Sequence, residues 1–349
     1  MRIIKSAIEL ILLLILFIGC PIDPNRSGKI MNQVPIGFNQ SEIVAWSISN
    51  YNNWTHYATI TNNNAVIAFG FNPLYQLIHV GSQPVGIALW EGGNRLYVVN
   101  NGGLSISVIA VSTTTLGKVV GSITDTSFHS MGDAVVTPDG QYLYVATDTN
   151  AISVISTATN TVLQTFTDPG FNQPAHLVAD MLGRYIFVSE SAGNVVSVIS
   201  TTTNTVIKTI GVGISPNGMA QTPDGDWLFV VNSGSNNISV IDVNSLTVTR
   251  TVTDTSFDNP QRIVLTYGCA YGFISEYSSG DISLISQNAL ITGSGKVVIK
   301  NIPVGSQPYD LAIIRTLGWP SYIGVTLKGE NYMAFITYPM ISEINSVCH

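Results

Sequence analysis

Apolar positions in this chain fall into short runs separated by turn-forming residues, and the runs are rich in Val, Ile, Thr and Tyr with partial period-two alternation. That pattern predicts short β-strands. Thr137-Pro138-Asp139-Gly140 and Thr222-Pro223-Asp224-Gly225 place Pro, Asp and Gly where a tight turn between two strands requires them. The N-terminus differs. Arg2 and Lys5 precede the apolar run Leu10 to Ile18, and no later stretch has a helical period. Nine residues at about 1.5 Å each span less than half of a roughly 30 Å hydrocarbon core, so the run reads as an export segment and not as a membrane span.

Self-comparison organises the remainder. Ser107-Val108-Ile109 recurs as Ser153-Val154-Ile155, Ser197-Val198-Ile199, Ser239-Val240-Ile241 and Ser283-Leu284-Ile285, at steps of 46, 44, 42 and 44 residues. An aromatic-led strand precedes each copy: Tyr97-Val98-Val99-Asn100, Tyr144-Val145-Ala146-Thr147, Phe187-Val188-Ser189-Glu190, Phe229-Val230-Val231-Asn232 and Phe273-Ile274-Ser275-Glu276. A third element follows each triplet, as in Thr159-Asn160-Thr161-Val162 and Thr203-Asn204-Thr205-Val206. A period of about 40–50 residues holding four short strands predicts an all-β fold, a seven-bladed β-propeller of four-stranded antiparallel blades. The units cut at 35–81, 82–126, 127–169, 170–212, 213–254, 255–304 and 305–349. Both terminal units carry enough predicted strands to close the ring without sharing one.

These repeats resemble the YVTN-type β-propeller repeat, whose members are typically extracytoplasmic and include surface-layer-like proteins. Phe17-Ile18-Gly19-Cys20 resembles a bacterial lipobox, with Phe17 where the family usually has Leu. That resemblance implies a lipoprotein signal peptide over 1–19, a lipidated Cys20, a tether over 20–34 and the propeller over 35–349. An ordinary signal peptide with an incidental cysteine is the alternative. The expected location is the bacterial cell envelope, periplasmic or surface-exposed, with the membrane as partner through the lipid.

Charge narrows the function. The 349 residues include 14 basic and 21 acidic side chains, for a net charge of −7. Removing 1–19 takes away Arg2, Lys5 and Glu9 and leaves −8. That charge argues against nucleic-acid binding by phosphate neutralisation. The cysteines Cys20, Cys269 and Cys348 form no CxxC, the five histidines no HxH or HExxH, and neither a GxSxG elbow nor a P-loop occurs. Neither a metal site nor a cofactor is therefore expected. A Cys269–Cys348 disulfide is disfavoured because the expected topology sets the two on opposite faces.

Aligning the repeats yields one constellation. Two residues after the position occupied by Pro84, Met131, Pro174, Pro216, Pro260 and Pro308 stand Gly86, Asp133, His176, Gly218, Arg262 and Asp310, with Ile43 the match in the first unit. Equivalent positions on seven-fold related strands form a ring, so Asp133, His176, Arg262 and Asp310 are expected to converge at the channel mouth. They would either take a small polar ligand or pair with one another. The loops on the same face carry Phe38, Phe128, Phe171 and Phe257, readable as an aromatic platform for a sugar, peptide or cation, or as plugs between blades. The reading favours a non-catalytic, lipid-anchored binding or scaffolding protein whose partner is a protein, glycan or small molecule. The alternative is an enzyme or enzyme subunit of lactonase or quinoprotein-dehydrogenase type, since similar propellers occur in both.

Overall fold

Seven four-stranded antiparallel sheets form the blades of a β-propeller. The computed structural model describes residues 30–35, 43–44, 55–70, 75–90, 94–111, 117–148, 150–168, 170–266, 271–314, 322–328, 330 and 332–337. The fourth blade shows the common plan. Its strands Pro174–Ala179, Tyr185–Glu190, Val195–Ser200 and Thr205–Gly211 pair in chain order from the channel outward. Each innermost strand runs from the face called upper here to the lower face, and the next strand returns.

Burial explains why the middle strands recur so visibly. The second and third strands of a blade are covered on both sides by neighbouring blades, so Tyr185–Glu190 and Val195–Ser200 are almost wholly buried. The outermost strand is mostly exposed or half-buried, throughout in Thr161–Thr167, and its Thr-rich sequence follows from that. Tyr97, Tyr144, Phe187, Phe229 and Phe273 stand third in the second strands and are at most 1% exposed, each packed between blades. The turn residues act as expected. Asp139 accepts hydrogen bonds from the Thr137 hydroxyl (2.6 Å) and the Gln141 N–H (3.0 Å), while Gly140 supplies φ +71°. In blades two to six the outermost strand carries a one-residue bulge, at Val120, Leu163, Ile207, Thr249 and Ile299. Such a bulge twists an open edge away from further pairing. Helix is confined, among the described residues, to a 3₁₀ turn at Thr61–Asn63 and one short α-helix, Gln287–Thr292, capped by Ser286 and Gly293.

Ring closure departs from the sequence reading. The seventh blade takes Pro308–Ile314, Tyr322–Leu327 and Tyr332–Thr337 from the C-terminal end, and its outermost strand is Ile30–Pro35. Residues 30–34, read as the end of a tether, therefore belong to a strand, and the terminal units do share. Ile30 faces Ile336 and Pro35 faces Tyr332, so this strand enters at the lower rim and runs upward. Cys20, Cys269, Cys348 and Phe38 lie outside the described residues.

Candidate functional site

Five of the innermost strands open with a pairing irregularity two or three residues after a proline. The ladder to the second strand shifts between Pro84 and Gly86, Pro174 and His176, Pro216 and Met219, Pro260 and Ile263, and Pro308 and Leu311. Proline has no N–H to offer, and the irregularity after it turns the next residues toward the neighbouring blade. The open channel-side edge of each strand then has backbone N–H groups that need acceptors.

The ring residues supply those acceptors. Asp133 Oδ1 takes the N–H of Ala134 (2.8 Å), and its Oδ2 takes the N–H of Leu177 on the next blade (2.7 Å). His176 Nδ1 accepts from Met219 N–H (3.2 Å), again one blade on. Asp310 Oδ1 accepts from Leu311 N–H (2.9 Å) and sits 3.7 Å from Arg262 Nε. Arg262 Nη1 donates to Asn217 Oδ1, and its guanidinium lies 5.1 Å from the centre of the Tyr309 ring. Hydroxyls on the second strands complete the stitching. Ser275 Oγ accepts from Arg262 N–H (3.0 Å) and donates to Tyr309 O (2.6 Å), while Thr326 Oγ1 accepts from Asp310 N–H (2.9 Å).

Asp133, His176, Arg262 and Asp310 thus converge, as the repeat alignment expects. His176 Nε2 stands 3.8 Å from Asp133 Oδ2, and Asp133, Arg262 and Asp310 are at most 8% exposed. Burial raises the Asp133 carboxyl to about 6, against the lowering effect of Arg262 and its two N–H donors; Asp310 raises it further. Burial, helped by Arg262, holds His176 well below the ordinary imidazole range. Its Nδ1 accepts a hydrogen bond, so the neutral ring carries its proton on Nε2, facing Asp133. Gly86 and Gly218 complete the ring for a steric reason: a Cβ on Gly86 would lie 2.5 Å from Gly132 O, and one on Gly218 would lie 2.7 Å from Arg262 Cα.

Of the two readings of the loop phenylalanines, the plug holds for the three described. Phe128, Phe171 and Phe257 are 3–4% exposed and belong to three different apolar clusters between blades. They plug the wedge-shaped gaps and present no platform.

Two acids escaped sequence reasoning. Glu190 and Glu276 end the second strands of the fourth and sixth blades, fully buried, and burial raises each carboxyl to about 7. Their Oε2 atoms accept from Asn172 N–H (2.8 Å) and Asp258 N–H (2.9 Å), which pins the loops that follow Phe171 and Phe257. Asn100 and Asn232 take the equivalent place beside the short Gly81 and Gly213 loops, where a Cβ would come within 2.6 Å of the asparagine side chain. A polar residue closing an otherwise apolar strand was the available signal.

An open groove of about 560 Å³ lies on the upper face, lined by Ser278, Ser279, Asp281, Ser306 and Gln307 among others, and none of the four ring residues lines it. Among the described residues no three His, Cys, Asp or Glu side chains are grouped to hold a metal ion.

Comparison with known proteins agrees with this architecture. A family model described as "Lactonase, 7-bladed beta-propeller" matches residues 150–266. No curated protein matches the chain. Kuenenia stuttgartiensis hydrazine synthase is similar at 15% identity and TM-score 0.71, covering 91% of this chain and 99% of that one. Virginiamycin B lyase from Staphylococcus aureus is similar at 12% identity and TM-score 0.69, covering 88% of this chain and 97% of that one. Both likenesses concern the fold, which hosts many activities.

Proposed function

We propose that this chain is a non-catalytic binding or scaffolding propeller of the bacterial cell envelope, held to a membrane by lipid on Cys20. The observation that carries the non-catalytic part is the saturation of the channel mouth. Asp133, His176 and Arg262 each bond a neighbouring blade, and Asp310 pairs with Arg262, so the mouth's ionisable groups serve as rivets. The lipobox-like Phe17-Ile18-Gly19-Cys20 supports the anchor, and the YVTN-like repeats support an extracytoplasmic place. Mass spectrometry of membrane-extracted protein should find acyl groups on Cys20, and Cys20→Ala should move the protein to the soluble fraction. An unmodified Cys20, or unchanged membrane retention, would overturn the anchor.

A second reading, hydrolysis at the same mouth, is favoured by the lactonase-type match, because residues 150–266 include His176 and Arg262. A panel of lactones decides between the two. Turnover by the purified protein that disappears in His176→Ala would replace the binding role with an enzymatic one.

A further inference from the structure

Ionisable side chains are divided unevenly between the two faces. At the upper face the accessible carboxylates are Asp125, Asp168, Asp254, Asp258, Asp281 and Glu330, and the accessible base among the described residues is Lys328. Buried Asp133, Glu190, Glu276 and Asp310 lie beneath them, with Arg262. The lower face has the opposite balance. Arg95, Lys118, Arg184 and Lys296 stand at the lower ends of strands or in lower turns. Lys208 Nζ reaches down to Ser245 O (3.4 Å), and Arg250 Nη2 to Thr292 O (3.0 Å). Against these six bases stand four accessible acids, Asp139, Asp224, Asp226 and Asp242, and the buried Asp180, which pairs with Arg184 at 2.7 Å.

The N-terminal strand points the same way. It enters at Ile30 on the lower rim, and the segment between Cys20 and Ile30 contains Arg26 and Lys29 against Asp23. Ten residues reach about 35 Å when taut and about 17–19 Å as a relaxed coil. The upper face stands one strand length, about 20 Å, farther up the blade wall. A slack tether brings the lower face to the bilayer, whereas turning the upper face down takes about 20 Å, just beyond the relaxed length, so reach alone biases the orientation weakly and the charge difference must set it.

We propose that the propeller stands on an anionic phospholipid surface with its lower face down and its acidic upper face away from the membrane. This rests on the reading that Cys20 is lipid-modified. Anionic headgroups attract the basic lower face and would repel the carboxylates of the upper one if it were turned down, and the field reaches only about 8–10 Å, so it acts on whichever face is nearest the membrane. A partner recruited from outside the membrane would meet the acidic face and its loops, so the complementary partner surface is basic.

Lysine acetylation by an N-hydroxysuccinimide ester tests this without mutation, because Lys118, Lys296 and Lys328 are all exposed. The full-length protein is labelled in detergent and on phosphatidylglycerol-containing vesicles, and the same digests report acyl groups on Cys20. The vesicles should slow labelling of Lys118 and Lys296 at least threefold and leave Lys328 within a factor of about 1.5. On pure phosphatidylcholine the protection should fall by half or more. Acylated Cys20 with equal protection of the three lysines, or with Lys328 the most protected, overturns the orientation alone. Protection unchanged on phosphatidylcholine overturns its electrostatic basis. Unmodified Cys20 with no vesicle binding overturns both the anchor and the orientation.

Discussion

Replacing Arg262 by alanine should destabilise the propeller and leave ligand-independent behaviour otherwise intact. Arg262 is 5% exposed, and its guanidinium bonds Asn217, lies 3.7 Å from Asp310 and covers the Tyr309 ring. Removing one member of a buried pair costs about 3–5 kcal/mol, because the other charge stays behind in a poorly solvating place. Unfolding entropy near 2.1 cal/mol/K per residue over roughly 300 residues gives about 0.65 kcal/mol/K, so the midpoint should fall by about 5–8 °C. The loss should depend on pH. Arg262 holds the Asp133 carboxyl down, yet it still sits at about 6, so Asp133 is neutral at pH 5 and charged at pH 8. Without the cation its protonated form is favoured further in the fold, and the deficit should be larger at pH 8 than at pH 5. Differential scanning fluorimetry at both pH values measures this. A midpoint within about 1 °C of wild type at pH 8, with loss of a measurable small-ligand shift, would refute the rivet account and restore the mouth as a ligand site.

Burial raises Glu190 and Glu276 to about 7, above their unfolded value of 4.5, so their contribution is fully present below about pH 4.5 and is lost as pH rises to 7. The wild-type melting midpoint should therefore fall between pH 5 and pH 8, and the double variant Glu190→Gln/Glu276→Gln should show a shallower fall; a midpoint that rises with pH contradicts this. Gly218→Ala should cost about 1–3 kcal/mol, read by urea titration, since its Cβ would meet the Arg262 and Gln261 backbones at 2.7 Å. Phe171→Ala should cost about 3–5 kcal/mol in the same titration, because the ring is 4% exposed and packs 6.0 Å from Phe166.

Legibility in the sequence tracked how much each position had to satisfy. Middle strands covered on both sides tolerate little but apolar side chains, so their triplets repeat and reveal the blades. The ring was legible because a proline and a fixed two-residue offset mark the start of an innermost strand. What those four side chains do was not legible, since converging charges read the same whether they await a ligand or cap backbone N–H groups. The phenylalanines were ambiguous for a similar reason: Thr124-Asp125-Thr126-Ser127-Phe128 forms its turn with the ring facing either way, and only the gap between blades decides. Strand Ile30–Pro35 was hidden most deeply. An outermost position demands little apolar content, as Thr161–Thr167 shows, and its partner lies at the far end of the chain.

That closing strand has a bearing on biogenesis. Synthesised from its N-terminus, the chain delivers residues 30–35 early, yet their partner, Tyr332–Thr337, arrives late. Each middle blade can form as soon as its own strands have emerged, whereas the seventh must wait for a contact spanning nearly the whole polypeptide. Non-local pairing of this kind is the slow step in folding and prolongs the life of unpaired edges. For that interval the nascent propeller is an open arc with two free flanks, so the early strand needs a chaperone or speed to keep it from joining the wrong sheet.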